Sequence, residues 1–122
     1  MESIQSKEER ISKRKQCLEK ELYRIVSILI EKYDPLKIIL FGSLATGKTD
    51  EYSDIDLVVI KNTTKNFYDR LEETVDLLQE NVDTDIIIYT PEEAKELEES
   101  DMFFREEVIK KGRVLYEYIC SV

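Results

Sequence analysis

Three short stretches hold the residues of this sequence best suited to chemistry. Residues 42–49 read GSLATGKT directly after the apolar run LKIILF, and ten residues separate Ser43 from Asp54-Ile55-Asp56. A second acidic pair at alternate positions, Asp83 and Asp85, opens the run DTDIIIY. In an extended strand residues two apart project from one face, so Asp54 and Asp56 present two carboxylates side by side. Asp85 can join them from an adjacent strand. Clustered carboxylates repel one another and raise at least one pKa unless a multivalent cation intervenes. A donor set without nitrogen or sulfur suits Mg²⁺ or Mn²⁺.

The stretch GSLATGKT also satisfies the phosphate-loop pattern Gly, four residues, Gly-Lys-Thr. Its surroundings reject that reading. Such a loop opens a helix whose N-terminal amides hold phosphate, yet only DEYS separates Thr49 from the next strand. A crossover to a parallel strand takes about a dozen residues. What remains is Gly42-Ser43, where glycine lets the backbone approach a ligand and successive amides with the Ser43 hydroxyl can form an anion-binding nest. A plain turn with serine as helix cap would look the same in isolation. Turn-forming aspartate is common at strand entrances, which suits Asp54 and Asp83. Asp56 and Asp85 lie one step deeper, where a carboxylate normally costs stability. Asp83 shares a face with Asp85 and is the alternative third ligand.

Composition narrows the chemistry further. Among 122 residues there is no histidine, which excludes a Ser-His-Asp triad and any His-ligated metal. A net charge of −9 argues against a broad nucleic-acid surface, since phosphate neutralisation needs clustered Lys and Arg. Lys13, Arg14 and Lys15 form the one basic cluster and read as a solvated helix face. Cys17 and Cys120 lie far apart and form no CxxC pair, so neither a disulfide framework nor a zinc site is indicated. The N-terminus has no signal-like apolar stretch and no run approaches bilayer-spanning length. A cytoplasmic protein without membrane contact is expected.

The elements follow from hydrophobic period. Leu18, Leu22, Ile25, Val26, Leu29, Ile30 and Tyr33 trace one face of a helix over 7–33, whose charged first turns are expected to project past the core. Asp34-Pro35 ends it. LKIILF, DIDLVVI and DTDIIIY read as strands. Phe67, Leu71, Val75 and Leu78 predict a crossover helix over 65–80, which lets its flanking strands sit side by side. Thr90-Pro91-Glu92-Glu93 starts a helix through about residue 99 with a capping box. A further helix over 102–111 stops at Gly112, and VLYEYI adds an edge strand.

With Gly42-Ser43, the ten-residue spacing and Asp54-Ile55-Asp56 in hand, the sequence resembles the DNA polymerase β-like nucleotidyltransferase superfamily. It is most similar to the small stand-alone members, the minimal nucleotidyltransferases or MNT domains, of the antitoxin type. Asp85 occupies the place of the third family carboxylate, and FFREEVIKKGRVLYE looks like the family's C-terminal segment, so the likeness runs from about Lys37 to Glu117. The resemblance implies an α+β fold, a small mixed sheet with helices packed mainly on one face. It implies one nucleotidyltransferase domain over 1–122, with an N-terminal helix in 1–34 and a catalytic core in 36–118.

For chemistry, the resemblance implies transfer of a nucleoside monophosphate from an NTP, ATP above all, to a hydroxyl, with release of pyrophosphate. Asp54 and Asp56 would bind two Mg²⁺ ions that clamp the attacking and leaving oxygens. Asp85 would hold the acceptor-side metal and assist removal of the acceptor's proton. Gly42 and Ser43 would hold the β and γ phosphates. Many relatives carry arginines shortly after Gly-Ser, whereas this chain has Leu44, Ala45 and Thr46; Lys48 or Lys61 could substitute. Relatives that modify small molecules use an extra domain, so a partner polypeptide is expected here, a HEPN toxin whose tyrosine is adenylylated. A masking module without catalysis and a small-molecule enzyme completed by a homo-oligomer are the alternatives.

Overall fold

Runs of Ile, Val and Leu bounded by turn residues produce the four strands of one sheet: β1 (Lys37–Phe41), β2 (Ile55–Ile60), β3 (Thr84–Tyr89) and β4 (Arg113–Glu117). The computed structural model describes residues 6–79 and 83–119. Strand order is β3-β2-β1-β4. β1 runs antiparallel to both β2 and β4, whereas β2 and β3 are parallel. The sheet is therefore mixed. A parallel pair needs a crossover, and α3 (Phe67–Leu78) supplies it.

Helix α1 (Lys7–Ile28) starts at Ser6, whose side chain accepts from the Glu9 amide, and ends in a π-helical turn, Leu29–Tyr33. Asp34 follows in the left-handed region with φ 53°. On the sheet face toward α1 and α3, Leu18, Ile25 and Leu29 pack with Ile38, Leu40, Leu57, Val59 and Leu78. Each fully buried aliphatic side chain contributes roughly 1.5–3 kcal/mol, so this face supplies most of the fold's stability. The opposite face packs Ile39, Phe41, Val58 and Ile60 against Phe104 and Val108 of a π-helical segment, Phe104–Lys110. Helix α4 (Pro91–Ser100) flanks it, opened by the expected capping box of Thr90 and Glu93.

Two expectations from the sequence need correction. The charged first turns of α1 do not project past the core, because Arg10 pairs with Glu51 and Arg14 with Asp54. Opposite charge draws them onto the acidic loop before β2. In α3, of the four residues that marked the helix only Leu78 is buried, while Phe67, Leu71 and Val75 are exposed. Arg70 and Thr74 face inward instead. Arg70 donates to the backbone carbonyls of Lys65 and Ile88 and to Glu93, acceptors that an aliphatic side chain would leave unpaired. Cys17 is exposed and free, and Cys120 lies outside the described residues.

Gly112 ends the last helical segment where the chain turns tightly into β4. A β-carbon there would lie 2.0 Å from the Val108 carbonyl oxygen and 3.1 Å from that of Leu40. Overpacking of this kind costs typically 1–3 kcal/mol. Gly112→Ala is expected to lower the free energy of unfolding by about that amount, as read by urea unfolding, while Gly47→Ala, at a site open in space, loses only the cost of its positive φ.

Candidate active site

The register of three strands determines where the acidic residues meet. Phe41, the last residue of β1, pairs with Asp56 on β2, and Asp56 pairs with Asp85 on β3. The C-terminal end of β1 and the N-terminal ends of β2 and β3 thus share one edge of the sheet. Alternation puts Asp56 and Asp85 on the face of Val58 and Tyr89, whose far half is covered by Phe104 and Val108. The acidic end of that face stays open.

Asp56 is held close on two sides. Gly42 follows Phe41 with φ 80°, and a β-carbon there would lie 2.4 Å from Asp56 Oδ2. Only glycine accommodates both the conformation and the carboxylate. Burial, then the charge of Asp85, then that of Asp54 push the Asp56 carboxyl up to about 6, and a hydrogen bond with Asp85 adds to the rise. Desolvation and like charge both disfavour the anion. Asp83 lies just before β3, where its carbonyl accepts from the Ile55 amide, and it is not among the groups acting on Asp56.

Ser43 opens the single helical turn α2 (Ser43–Thr46) and donates from its hydroxyl to Ser53 Oγ at 2.8 Å. Ser53 Oγ also accepts from the Asp50 amide at 2.8 Å. This pins the Gly-Ser turn to the loop that precedes β2. Lys48 follows α2 and does not open a helix, its amide donating to the Ser43 carbonyl at 3.0 Å, whereas the lysine of a phosphate loop opens the helix whose N-terminus holds phosphate. Asp54 is drawn elsewhere: its Oδ1 accepts from Arg14 Nη2 at 3.3 Å, and Arg14 Nε donates to the Ser53 carbonyl at 2.9 Å.

Among the described residues no three Asp, Glu or Cys side chains stand together in metal-holding geometry. The structure brings Asp56 and Asp85 together and leaves Asp54 paired with Arg14. The donor set nonetheless fits a hard divalent cation. It is all oxygen, and its central carboxyl is raised in pKa by its like-charged neighbours, a penalty that a cation would relieve.

Next to the carboxylates on the same face lies a cavity of about 120 Å³ lined by Phe41, Val58, Ile87, Tyr89, Phe103 and Phe104, among others. An apolar cavity of roughly 150 Å³ accepts a benzene-sized ring, so this one approaches single-ring dimensions. Lys61 is excluded as a contact for the same site. It follows β2 at the far end, roughly 16 Å along the strand from Asp56, where its ammonium donates to the Tyr33 carbonyl and sits over the Tyr33 ring.

The sequence model for polymerase beta nucleotidyltransferases matches residues 23–118. The chain belongs to this family. Among curated proteins, the Methanocaldococcus jannaschii "Putative protein adenylyltransferase MJ1305" is 50% identical over 48 residues, which cover 38% of this chain and 33% of that relative. The match thus spans about a third of the relative's length. Among solved structures, a Sulfolobus solfataricus protein assigned as a nucleotidyltransferase superposes with a TM-score of 0.64 at 20% identity, covering 88% of this chain and 87% of the other. A mutant of the toxin-antitoxin MntA-HpeT superposes with a TM-score of 0.52 at 23% identity over 80% of this chain and 72% of the other. Both likenesses concern the fold.

For this member of the family the displaced carboxyl gives a signed pH dependence. A carboxyl whose folded pKa lies above its ordinary 3.8, here at about 6, is protonated more readily in the fold than in the unfolded chain. Its contribution is therefore present at low pH and is lost as pH rises between those two values. Asp56→Asn mimics the protonated group. It is expected to melt at higher temperature than the native protein at pH 7.5 in EDTA, with the difference closing toward pH 4, as followed by circular dichroism.

Proposed function

We propose that this chain transfers AMP from ATP to a hydroxyl on a partner protein, a tyrosine of a HEPN toxin, and so acts as the antitoxin of a toxin-antitoxin module. The observation that carries the proposal is the convergence of Asp56 and Asp85 beside Gly42 at the open edge of the sheet. The description of one relative as a protein adenylyltransferase and the toxin-antitoxin neighbour support the class of acceptor. The aromatic-lined cavity along the same face supports an aromatic side chain there, and Phe103 on its wall and the adjacent Met102 are exposed.

In this reading the acceptor oxygen attacks the α-phosphorus of ATP in line with the α–β bridging oxygen. The new P–O bond forms as the bridging bond breaks, and pyrophosphate leaves. The Asp85 carboxylate takes the acceptor's proton. Gly42 gives the phosphates access to the backbone, and the Ser43 hydroxyl, which donates to Ser53 Oγ, reaches a phosphate oxygen by exchanging that bond. Asp54, Asp56 and Asp85 would hold two Mg²⁺ ions, with Mn²⁺ as a substitute, which supply charge neutralisation for the attacking and leaving oxygens.

Incubation with Mg²⁺, α-labelled ATP and a candidate HEPN toxin tests the reading. Label is expected on the toxin, and Asp56→Asn or Asp85→Asn should reduce it by more than the roughly 10- to 100-fold that outer partners of a metal site cost. Label on a small molecule would favour the oligomeric enzyme. No transfer, with toxin binding retained in Asp56→Asn, would favour masking by contact, and either outcome overturns the proposal.

A further inference from the structure

A triphosphate brings several negative charges to an edge already occupied by Asp54, Asp56 and Asp85, in a chain of net charge −9. Leu44, Ala45 and Thr46 provide no cation there. Lys61 stands at the other end of β2. The Lys48 side chain is exposed beyond α2, and Arg10 is engaged with Glu51. Arg14 is different, because it reaches the acidic edge from an element that precedes the whole sheet. Its guanidinium touches the Ser53 carbonyl and the Asp54 carboxylate, and Ser53 is in turn bonded to Ser43.

A guanidinium carries five N–H donors in a fixed fork, and these two contacts use two of them. The ion pair is partly open to solvent, with side-chain exposures of 25% for Arg14 and 40% for Asp54. The remaining donors are therefore open to solvent beside the loop that Ser53 ties to the Gly-Ser turn, and planar guanidinium suits phosphate oxygens.

Resting on the nucleotidyltransferase reading, we propose that Arg14 is an exchangeable cation of the site: it pairs with Asp54 until a divalent ion competes for that carboxylate, and then contacts the phosphates of the nucleotide. This gives one side chain two effects of opposite sign. Arg14 opposes divalent ions at Asp54 when no nucleotide is present, and it favours triphosphate. A residue that only braced the fold would move both affinities in the same direction or neither.

Arg14→Gln separates these cases, with Lys13→Gln as a control of equal charge change at an exposed neighbour and Arg14→Lys as a variant that keeps the charge. Mn²⁺ binding without nucleotide is read by electron paramagnetic resonance. Binding of inorganic tripolyphosphate, ATP and adenosine is read by calorimetry. In Arg14→Gln, Mn²⁺ is expected to bind several-fold more tightly, tripolyphosphate and ATP roughly tenfold more weakly, as for loss of one charge-assisted hydrogen bond, and adenosine unchanged. Lys13→Gln should change none of these by more than about twofold, and Arg14→Lys should recover part of the triphosphate affinity. Native protein that binds triphosphate while Arg14→Gln binds it equally well overturns the assignment of Arg14 alone. Native protein that binds neither Mn²⁺ nor triphosphate overturns the function proposed above as well.

Discussion

The structure turns on the contact between the Asp56 carboxylate and the backbone of Gly42. Asp56 sits on a central strand with Phe41 across from it on one side and Asp85 on the other. A carboxylate at that position is displaced to a pKa of about 6 by burial and by its acidic neighbours, which is the energetic signature of a group kept for chemistry at some cost to the fold. Gly42 makes the arrangement possible. With any β-carbon at that turn, either the chain could not enter α2 with its positive φ or the carboxylate would have to swing off its face. The sharp turn and the buried acid are therefore one feature, and the serine bridge from Ser43 to Ser53 keeps the two halves in register.

That constraint divides the labour of the two sheet faces. The face under α1 and α3 holds the larger core, packed by Leu18, Ile25, Leu29 and their partners, and opens beside β4 into a cavity of about 400 Å³ lined by Leu22, Leu40, Leu44 and Leu115 among others. The other face is covered where Phe104 and Val108, with Ala94 and Leu97 of α4, reach it. A strongly hydrophobic first face lets the second stay half open, with carboxylates at one end and an aromatic-lined cavity beside them.

Strand identities were legible because β-branched runs bounded by Asp, Gly and Pro have few other uses, and the pairing of Asp56 with Asp85 follows once α3 is recognised as a crossover. Phase within α3 was not legible. Apolar residues occupy two stripes of that helix, and the choice between them depends on which carbonyls Arg70 can reach, those of Lys65 and Ile88, a fact of tertiary geometry. The part played by Arg14 was missed for a different reason. Lys13, Arg14 and Lys15 look like one solvated cluster when read as consecutive letters, yet the buried stripe of Leu18, Glu21 and Ile25, continued backwards by four residues, passes through Arg14. Helical period, applied to charged as well as apolar residues, points Arg14 and Arg10 toward the acidic loop DEYSD.

This placement changes what the N-terminal helix is for. Partly exposed ion pairs are worth on the order of 0–1 kcal/mol, so the Arg14 and Asp54 contact adds little to stability and can be exchanged at small cost. Its effect is on position. Asp54 is bonded to Arg14 of α1 while its charge still acts on Asp56, so the edge holds two carboxylates in contact and a third paired with a cation. A helix that looks like scaffold by its burial thus also shapes the electrostatics of the sheet edge, through a cation held against one of its carboxylates.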